Sequence, residues 1–403
     1  MKLEKFDFII VGGGIIGLTI AKAIFEKNPA STICILEKES SLGVHGSGRN
    51  SGVLHSGIYY PENSLKGQLC AQGASKMASY CNINGLSINR IGKVILPTGI
   101  EDDSQIDLLF SRAKVNGASV SIINLKELKE LEPEAFTPTG RALYSPNTSV
   151  IDPLAILKNL YTELENLGVK IKCKSIMKDA NPDKNTVAVN NGEKYHYGTL
   201  INCTGQFTDK IAHLFQVGTD YTMIPFRGSY FKLSEKSNLT INGLIYPVPD
   251  LNVPFLGVHS VKTISNDVYF GPTAVPAFGR EHYSMLSGID ITDGLSVGFN
   301  LALMYMKNNQ SFRKYTRDES LRFFKSNFIE AAKKLVPNLK GEDLLKCNKV
   351  GIRAQLVNKK QRKLEMDFIV EKNENTIHIL NAVSPAFTSS FAIAEHIVNN
   401  YID

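Results

Sequence analysis

The first forty residues alternate between apolar blocks and short polar or glycine-rich breaks. Phe6–Val11 is a short apolar run with β-branched residues, which is typical of a strand buried on both faces. Leu18–Lys27 carries apolar residues at helical spacing, and Thr32–Leu36 predicts a second buried strand that runs into Glu37. Gly12–Gly17 stands between the first strand and the helix with the pattern GxGxxG. The order strand, glycine turn, helix, strand, acid predicts a dinucleotide-binding unit.

Each glycine of that pattern has a physical task in such a unit. Gly12 permits the tight turn, Gly14 lets the backbone approach a pyrophosphate, and Gly17 lets the helix pack on the strand. The helix N-terminus, next to Ile16, presents free N–H groups to the phosphates. Glu37 follows Gly17 by twenty residues and is suited to accept hydrogen bonds from ribose hydroxyls.

Two later strand-to-helix turns favour FAD over NAD. Thr199–Gly205 is a buried strand ending in Thr204-Gly205, and Ile377–Asn381 is a strand that runs into Ser384-Pro385-Ala386 and a last helix. Turns spread from one end of the chain to the other suit a long cofactor lying across one sheet. They also make the cofactor domain discontinuous, whereas an NAD enzyme more often keeps that domain in one block.

The hydrophobic pattern changes in the middle of the chain. Residues 169–176 and 184–200 predict hairpin strands of the cofactor domain, and residues 86–97 predict a single strand. Short strand-like runs separated by Pro and Gly follow between residues 223 and 277, and residues 284–345 are mainly helical. The expected division is a cofactor domain of residues 1–84, 151–222 and 345–403 and a substrate domain of residues 85–150 and 223–344.

Composition excludes several classes of protein. Hydrophobic residues make up 43% and charged residues 21%, which excludes intrinsic disorder. None of the six cysteines forms a CxxC pair, so we expect no metal site and reduced thiols. We see no secretory signal, and the longest uncharged apolar stretch, residues 8–21, is too short to span a bilayer. These features predict a cytoplasmic enzyme.

Two basic segments raise the question of a charged partner. Residues 359–363 form a dense basic run, which we interpret as a solvated hairpin tip and not as a nucleic-acid site. Residues 307–325 mix six basic residues with aromatic ones, and a solvated helix packed on the sheet is favoured over a membrane-surface helix. The net charge of +6 permits an anionic ligand or membrane surface without requiring either. We therefore expect no nucleic-acid partner and leave open a peripheral contact with the inner face of the membrane.

Several longer motifs resemble a known family. The glycine turn with Glu37, the Asn202–Gly205 turn, the Pro225–Gly228 strand and the Gly351–Arg353 strand resemble the D-amino-acid oxidase superfamily. Within it, four stretches are similar to the L-2-hydroxyglutarate dehydrogenase/oxidase group: residues 50–60, 246–259, 351–355 and 381–386. The resemblance runs nearly from end to end. The segment Ala382–Pro385 departs from the glycine-rich turn of many superfamily members but matches the narrower group.

The resemblance implies a fold, a cofactor and a reaction. The expected fold class is α/β, with a Rossmann-like FAD-binding domain of the glutathione-reductase/D-amino-acid oxidase type and an α+β substrate domain built on an antiparallel sheet. The expected reaction is oxidation of L-2-hydroxyglutarate to 2-oxoglutarate by hydride transfer from C2 to flavin N5. The expected FAD-binding residues are Gly12, Gly14, Ile16, Gly17, Glu37, Ser47, Asn50, Ser51, Gly52, Thr204, Gly205, Ser384, Pro385 and Ala386.

A dicarboxylate with a hydroxyl at C2 needs a cation, a base and further donors. Arg353 is the expected clamp for the C1 carboxylate, because a guanidinium binds a carboxylate in bidentate fashion; a structural ion pair is the alternative. His55 is the first choice for the base and His259 its rival. Three tyrosines are candidate donors to the substrate's carboxylates: Tyr59, Tyr60 and Tyr230.

Other functions remain open on the sequence alone. The nearest alternative is a related FAD enzyme that acts on glycerol-3-phosphate or an amino acid. A flavoprotein that modifies RNA would need a basic groove leading to the flavin, and a non-catalytic FAD scaffold would show no flavin reduction by any 2-hydroxy acid. The electron acceptor, a quinone or oxygen, leaves no signature in these motifs.

Overall fold

The strands of the computed structural model fall into three sheets. The structure describes residues 3–284 and 288–402, so the predicted segments 1–84, 223–344 and 345–403 each include residues outside the described ranges. In chain order the strands are β1 Glu4–Val11, β2 Ile33–Leu36, β3 Val53–Leu54, β4 Ile88–Arg90, β5 Lys93–Leu96, β6 Ser121–Asn124, β7 Arg141–Ser145, β8 Ser149–Ile151, β9 Lys170–Lys172, β10 Met177–Asn181, β11 Thr186–Val189, β12 Lys194–Asn202, β13 Tyr221–Leu233, β14 Leu244–Pro247, β15 His259–Lys262, β16 Val268–Gly271, β17 Val275–Pro276, β18 Leu344–Asn358, β19 Lys363–Leu364, β20 Val370–Asn373 and β21 Thr376–Ile379.

Some helices begin at side-chain caps. Ser64 accepts a hydrogen bond from the Gly67 backbone N–H, and Asp152 caps a helix with Pro153 at its first position. No helix within the described ranges combines the length and apolar character needed to cross a membrane. The helices are α1 Ile15–Lys27, α2 Leu65–Ile83, α3 Ser104–Val115, α4 Leu125–Leu131, α5 Pro153–Asn166, α6 Thr208–His213, α7 Ile291–Lys307, α8 Phe312–Arg322, α9 Lys325–Lys333 and α10 Ala386–Tyr401.

A parallel sheet forms one half of the molecule. Strands β9, β2, β1, β12 and β21 lie side by side and run in parallel, with β10, β11 and β20 attached as antiparallel strands. Helices α1, α2, α5 and α10 cover one face of this sheet in a single apolar cluster. The other face packs against a second cluster that includes Phe215, Met223 and Leu356. Burial on both faces explains why β1 and β2 are continuous apolar runs.

A ten-stranded sheet forms the other half, in the order β19-β18-β13-β16-β15-β14-β5-β7-β6, with β17 beside β13. Its pairs are antiparallel except for β14 with β5. A parallel layer joined to a largely antiparallel one confirms the predicted fold class.

Strand β18 differs from the predicted division of the chain. A boundary at residue 345 assigns it to the cofactor segments, but β18 pairs with β13 over most of its length, from Tyr221↔Asn358 to Leu233↔Leu344. Backbone hydrogen bonding therefore places residues 344–358 in the ten-stranded sheet, and the boundary at 345 needs to move beyond β18. The hydrophobic pattern alone does not distinguish which sheet such a strand joins.

Two further elements differ from expectation. Residues 169–176 and 184–200 are predicted to form hairpin strands, and this is wrong for the first segment. Its strand β9 pairs in parallel with β2, and the hairpin is formed by β10 and β11. The predicted strand at residues 86–97 is divided into β4 and β5, which belong to different sheets. Gly92, at φ +72°, turns the chain between them.

Candidate active site

A cavity of about 960 Å³ lies between the two sheets. One wall is the edge where the parallel strands end, with Gly12 after β1, Glu37 after β2 and Cys203 after β12. Ligands of open α/β sheets bind at this carboxyl edge. The opposite wall comes from the ten-stranded sheet. Of the predicted site residues, those on the cavity wall are Gly12, Gly14, Ile16, Glu37, Ser47, Asn50, Ser51, His55, Thr204, Gly205, Tyr230, His259, Arg353, Ser384, Pro385 and Ala386.

The glycines of the β1–α1 turn are required by close backbone contacts. Gly12 has φ +110°, and a Cβ on it would lie 2.5 Å from the Cys203 carbonyl oxygen. A Cβ on Gly17 would lie 2.1 Å from the Gly12 carbonyl oxygen, so this glycine serves the packing of α1 and does not reach the cavity. Gly14 is the N-cap of α1 and supplies no side-chain hydrogen bond, which leaves backbone N–H groups at the helix end for an anionic ligand.

Two side chains hold this turn in position. Glu37 accepts a hydrogen bond from the Gly13 N–H through Oε2 at 2.9 Å and one from the Glu39 N–H through Oε1. Ser47 Oγ accepts from the Ile15 N–H at 3.0 Å. These contacts hold the turn, the helix end and the acid in the places where a pyrophosphate and a ribose would bind. The residues present therefore suit the ADP part of FAD.

The remaining cofactor-side residues come from three loops, which lie before β3, after β12 and after β21. Thr204 donates from Oγ1 to Asn202 Oδ1 at 2.7 Å, and Gly205 follows at φ +54°. Asn50 donates to the Ser47 carbonyl and accepts from the Gly52 N–H, which shapes the loop before β3. Gly52, at φ +73°, makes this turn possible but does not reach the cavity wall.

His55 lies directly after β3 and lines the cavity. Its backbone N–H donates to Thr388 Oγ1 at 3.1 Å, which connects it to α10. Its Nδ1 is buried without a hydrogen-bond partner among the described residues. Burial, followed by the charges of Lys93, His259 and Arg353, lowers the pKa of His55 to about 3. The imidazole is therefore neutral and is able to accept a proton.

His259 lies on β15 with a defined tautomer. Its Nδ1 lies 2.8 Å from the Gly257 carbonyl oxygen, so Nδ1 carries the hydrogen and Nε2 is the acceptor. Its ring stacks on Tyr246 with 3.9 Å between centroids. Burial lowers the pKa of His259 to about 4. Both candidate bases are thus neutral at pH 7, and both stay candidates.

Arg353 lies on β18, and its side chain reaches the cavity. Nε donates to Gln355 Oε1 at 3.1 Å, and Gln355 is itself held by the Glu365 carbonyl. Phe255 lies beneath the guanidinium, 5.3 Å from ring centroid to Cζ. No carboxylate of residues 3–284 or 288–402 forms a salt bridge with Arg353, which does not support the alternative of a structural ion pair. Burial lowers its pKa to about 10, so it remains a cation at pH 7.

Tyrosines occupy both expected and unexpected places. Tyr230 lines the cavity, whereas Tyr59 and Tyr60 lie behind its wall, where Tyr59 belongs to the buried apolar cluster and Tyr60 packs against it. Tyr246, which the sequence did not single out, lines the cavity beside His259. Lys93 was also missed, although a lone lysine at the start of the apolar strand Lys93–Leu96 is a visible signal.

A polar cluster lies on the cavity wall. Glu39, His45 and Glu281 bring three possible metal-ligand atoms within 4.8 Å of one another. The Lys38 ammonium already donates to all three side chains, and His45 Nδ1 contacts the Tyr283 hydroxyl at 2.9 Å. The carboxylates are therefore paired with a cation that the chain itself supplies.

Comparison with known proteins gives full-length matches. The family described as FAD dependent oxidoreductase (DAO) matches residues 7–400. L-2-hydroxyglutarate dehydrogenase of Indibacter alkaliphilus is 35% identical over 400 residues, covering 96% of each chain. The enzyme of the same name from Escherichia coli K12 is 33% identical, covering 98% of this chain and 92% of its own.

Solved structures share the fold at lower identity. Dithionite-reduced L-α-glycerophosphate oxidase from Mycoplasma pneumoniae, with FAD bound, has a TM-score of 0.74 at 22% identity, covering 99% of this chain and 96% of its own. Glycine oxidase from Geobacillus kaustophilus has a TM-score of 0.72 at 15% identity, covering 99% and 95%.

Proposed function

The chain belongs to the family of FAD-dependent oxidoreductases, and we propose that within this family it oxidises L-2-hydroxyglutarate to 2-oxoglutarate. The family assignment confirms the prediction of FAD as cofactor. Full-length relatives at 32–35% identity that carry the name L-2-hydroxyglutarate dehydrogenase support this substrate over glycerol-3-phosphate, an amino acid or RNA.

The observation that carries the proposal is a guanidinium without a salt bridge among the described residues, in the same cavity as two neutral imidazoles. Arg353 has no salt-bridge partner among the described residues and lines the same cavity as His55 and His259. A buried cation without a counterion is suited to bind an anionic group of a ligand, since burial strengthens the attraction. Arg353 would hold the C1 carboxylate and thereby orient C2 in the cavity.

The reaction also requires that the C2 hydroxyl lose its proton. A neutral imidazole acceptor at hydrogen-bond distance from that hydroxyl would take it, and His259 Nε2 is free for this task because Nδ1 is bonded to the Gly257 carbonyl. Bound FAD supplies the acceptor for the hydride that leaves C2. The residues that would hold the cofactor are those of the β1–α1 turn, Glu37, Ser47 and the turns after β12 and β21.

An anaerobic mixing experiment tests the function directly. We expect the oxidised flavin absorbance of the purified protein to bleach with L-2-hydroxyglutarate and to persist with its D-isomer, glycerol-3-phosphate and glycine. Bleaching by glycerol-3-phosphate or glycine, with none by L-2-hydroxyglutarate, would replace this function with that of a different member of the family. No bleaching with any of them would point to a non-catalytic role.

For the location we propose peripheral contact with the cytoplasmic face of an anionic membrane, through α7 and the helices after it. Four apolar side chains follow one another along α7 and are largely exposed: Ile291 at 77%, Leu295 at 72%, Phe299 at 64% and Met306 at 69%. Phe323 and Phe324, after α8, are also exposed. The same stretch of chain carries the exposed cations Lys307, Arg313, Lys314, Arg317 and Lys325. An apolar stripe flanked by cations is the pattern of a helix that lies in a lipid interface.

For the electron acceptor we propose a membrane quinone. An apolar groove between α7 and α8 is lined by residues that include Leu301, Phe312 and Phe323. Ala274 and Glu319 line both this groove and the main cavity, so one wall separates them. Tyr315, on the groove side, stacks on Phe255 of the cavity with 4.8 Å between centroids. An apolar acceptor in this groove would lie close to the cofactor cavity.

Vesicle binding tests the membrane surface. The holoenzyme should co-sediment with vesicles that contain anionic lipid, and Leu295→Asp with Phe299→Asp should abolish co-sedimentation while the flavin still bleaches with substrate. A matched control is Ile83→Asp, which alters a residue 84% exposed at the end of α2. Equal vesicle binding by the α7 double variant and the wild type would refute the proposed membrane surface.

Reoxidation of the reduced enzyme tests the electron acceptor. Reoxidation by oxygen alone, with no effect of a soluble quinone, would refute a quinone as the acceptor.

A further inference from the structure

Lys93 is a buried lysine with no hydrogen bond or salt bridge among the described residues. It lies at the start of β5, between β7 and β14, and only 1% of its surface is exposed. Its Nζ makes no hydrogen bond to any of the described residues. Burying an ammonium group without a hydrogen bond or a counterion is costly, and lysine is rarely found in this state. The charge of Lys93 is therefore expected to have a role that offsets the cost of burying it.

The ammonium lies one aromatic layer from the cavity. Nζ is 4.8 Å from the ring centroid of Tyr59 and 5.3 Å from that of Tyr246. Tyr246 stacks on His259, and both side chains line the cavity. The hydroxyl of Tyr59 and Nδ1 of His55 are likewise buried without hydrogen-bond partners among the described residues. Unsatisfied polar groups are therefore concentrated behind this part of the wall.

The local charge is positive, and no acid among the described residues forms a salt bridge with Lys93. Burial lowers the pKa of Lys93 to about 8, so the ammonium is mostly protonated at pH 7. Its charge contributes to the lowered pKa values of His55 and His259, which both line the cavity. Arg353 is a second cation without a salt bridge in residues 3–284 and 288–402. One carboxylate would neutralise one of these two charges and leave the other.

We propose that Lys93 determines the preference for dicarboxylates, by attracting the second carboxylate of the substrate across the Tyr246–His259 layer while Arg353 binds the first. The inference rests on the proposed function, since it assigns the C5 carboxylate of L-2-hydroxyglutarate to a particular residue. Lys93 acts through space and through the side chains in front of it, so it is a positioning residue. Coulombic attraction across a few ångströms of protein is strong enough to discriminate a dianion from a monoanion.

The preference is measured as a ratio of two substrates. L-2-hydroxypentanoate has the same five carbons as L-2-hydroxyglutarate, with a methyl group in place of the C5 carboxylate. In Lys93→Met, which keeps the length of the side chain and removes its charge, the ratio of kcat/KM for the two acids should fall roughly tenfold to a hundredfold, through loss on the dicarboxylate. Lys93→Arg keeps the charge and should retain most of the ratio. Equal loss on both acids would overturn the proposal, because it would indicate an effect on the histidines or on the fold.

The wild-type enzyme provides an independent measurement. As pH rises from 7 to 9, Lys93 loses its charge and the same ratio should decline. The other titratable groups that face Lys93 do not change in this interval: burial lowers the pKa of His55 and His259 to about 3 and 4, and it raises the pKa of Cys70 to about 12 and of Tyr59 and Tyr246 well above the usual value. Lys66, whose pKa burial lowers to about 7, lies near Arg353.

A Lys66→Met variant separates the two lysines. The decline with pH should persist in Lys66→Met and vanish in Lys93→Met; the reverse result would transfer the role to Lys66. The melting temperature serves as the control for folding. It should not fall in Lys93→Met, because the substitution removes a buried charge that has no counterion among the described residues. If Lys93→Met does not fold, Lys93→Gln and the wild-type pH series still decide the matter.

Ligand binding distinguishes failure of this inference from failure of the proposed function. Glutarate and pentanoate are unreactive, and the shift they cause in the flavin spectrum reports their affinity. The wild type should bind glutarate more tightly than pentanoate, and Lys93→Met should bind them about equally. If this glutarate preference is found but L-2-hydroxyglutarate is not oxidised, the proposed substrate is refuted and the role of Lys93 in binding a dianion stands. Oxidation of L-2-hydroxyglutarate with no change in the glutarate preference in Lys93→Met would refute the role of Lys93 alone.

Discussion

At the scale of single residues, burial decides which charges are present in the cavity. Burial lowers the pKa values of His55 and His259 far enough to keep both imidazoles neutral, whereas Arg353 and Lys93 remain cations at pH 7. An anionic ligand in the cavity therefore meets the Arg353 cation and two proton acceptors on the wall, with the Lys93 cation behind Tyr246. The planar guanidinium of Arg353 adds a geometric requirement that a lysine does not meet.

Replacement of Arg353 by Lys tests that requirement. Arg353→Lys keeps the charge but loses the bidentate contact. The transition state should lose ~2–4 kcal/mol of stabilisation, so kcat/KM should fall roughly thirtyfold to a thousandfold. Both kcat and KM should change, because the carboxylate also orients C2. Thermal stability should change little, since Arg353 has no salt bridge to lose among the described residues. A variant that melts early and turns over normally would rule out the clamp.

A second residue-scale prediction concerns His378, which is fully buried on β21. Its Nδ1 accepts from the Asn202 side-chain amide at 3.2 Å, and burial lowers its pKa to about 4. Because the folded pKa lies below the unfolded value of ~6.5, the stability linked to this group is present above pH 6.5 and is lost as pH falls toward 4. Urea unfolding should show that between pH 7.5 and pH 5 His378→Gln loses less stability than the wild type, by about 2 kcal/mol. Identical losses in both proteins would contradict the assignment.

At the scale of elements, the β1–α1 turn depends on Gly12. Gly12→Ala places a Cβ 2.5 Å from the Cys203 carbonyl at φ +110°, so either the turn or the end of β12 must shift. We expect a lower melting temperature and at least a tenfold weaker retention of FAD, measured by fluorescence of released flavin. The matched control is Gly298→Ala in α7, where a Cβ meets nothing within 4 Å and helix propensity improves. Normal FAD retention in Gly12→Ala would show that the turn adapts.

At the scale of the whole molecule, a buried ion pair connects the two halves. Arg280, in the segment before α7, donates to Asp209 of α6 through both Nη atoms, with Nη2–Oδ2 at 3.0 Å, and also to the Gln206 carbonyl. Burial opposes ionisation of Asp209, but the hydrogen bonds and charge of Arg280 lower its pKa below the usual value. The pair therefore fixes the segment in which Glu281 and Tyr283 contact His45 of the cavity wall.

Breaking this pair should loosen the molecule as a whole. Arg280→Met leaves a buried carboxylate and should destabilise the fold by ~3–5 kcal/mol. Lys76→Met, which removes the exposed pair with Glu395, should change stability by less than ~1 kcal/mol. Chemical unfolding of both variants gives the comparison. Similar small losses in the two variants would mean that the connection between the halves does not depend on Arg280.

The sequence by itself determined the parts of this protein that rest on local pattern. The apolar strands β1 and β2, the glycine turn, Glu37 and the caps at Ser64 and Asp152 are visible in short windows, because each depends on neighbours within a few residues. The motifs near both chain ends also indicated FAD and the family, and both are confirmed.

Only the tertiary structure decided features that depend on residues far apart in the chain. Strand β18 joins the second sheet because of its register with β13, Tyr59 and Tyr60 lie behind the cavity wall, and Lys93 has no counterion among the described residues. A hydrophobic pattern reports that a strand is buried but not which partner buries it. The charge state of a side chain depends likewise on what surrounds it in space, so the pKa values of His55, His259 and Lys93 follow from the packing of both sheets around one cavity.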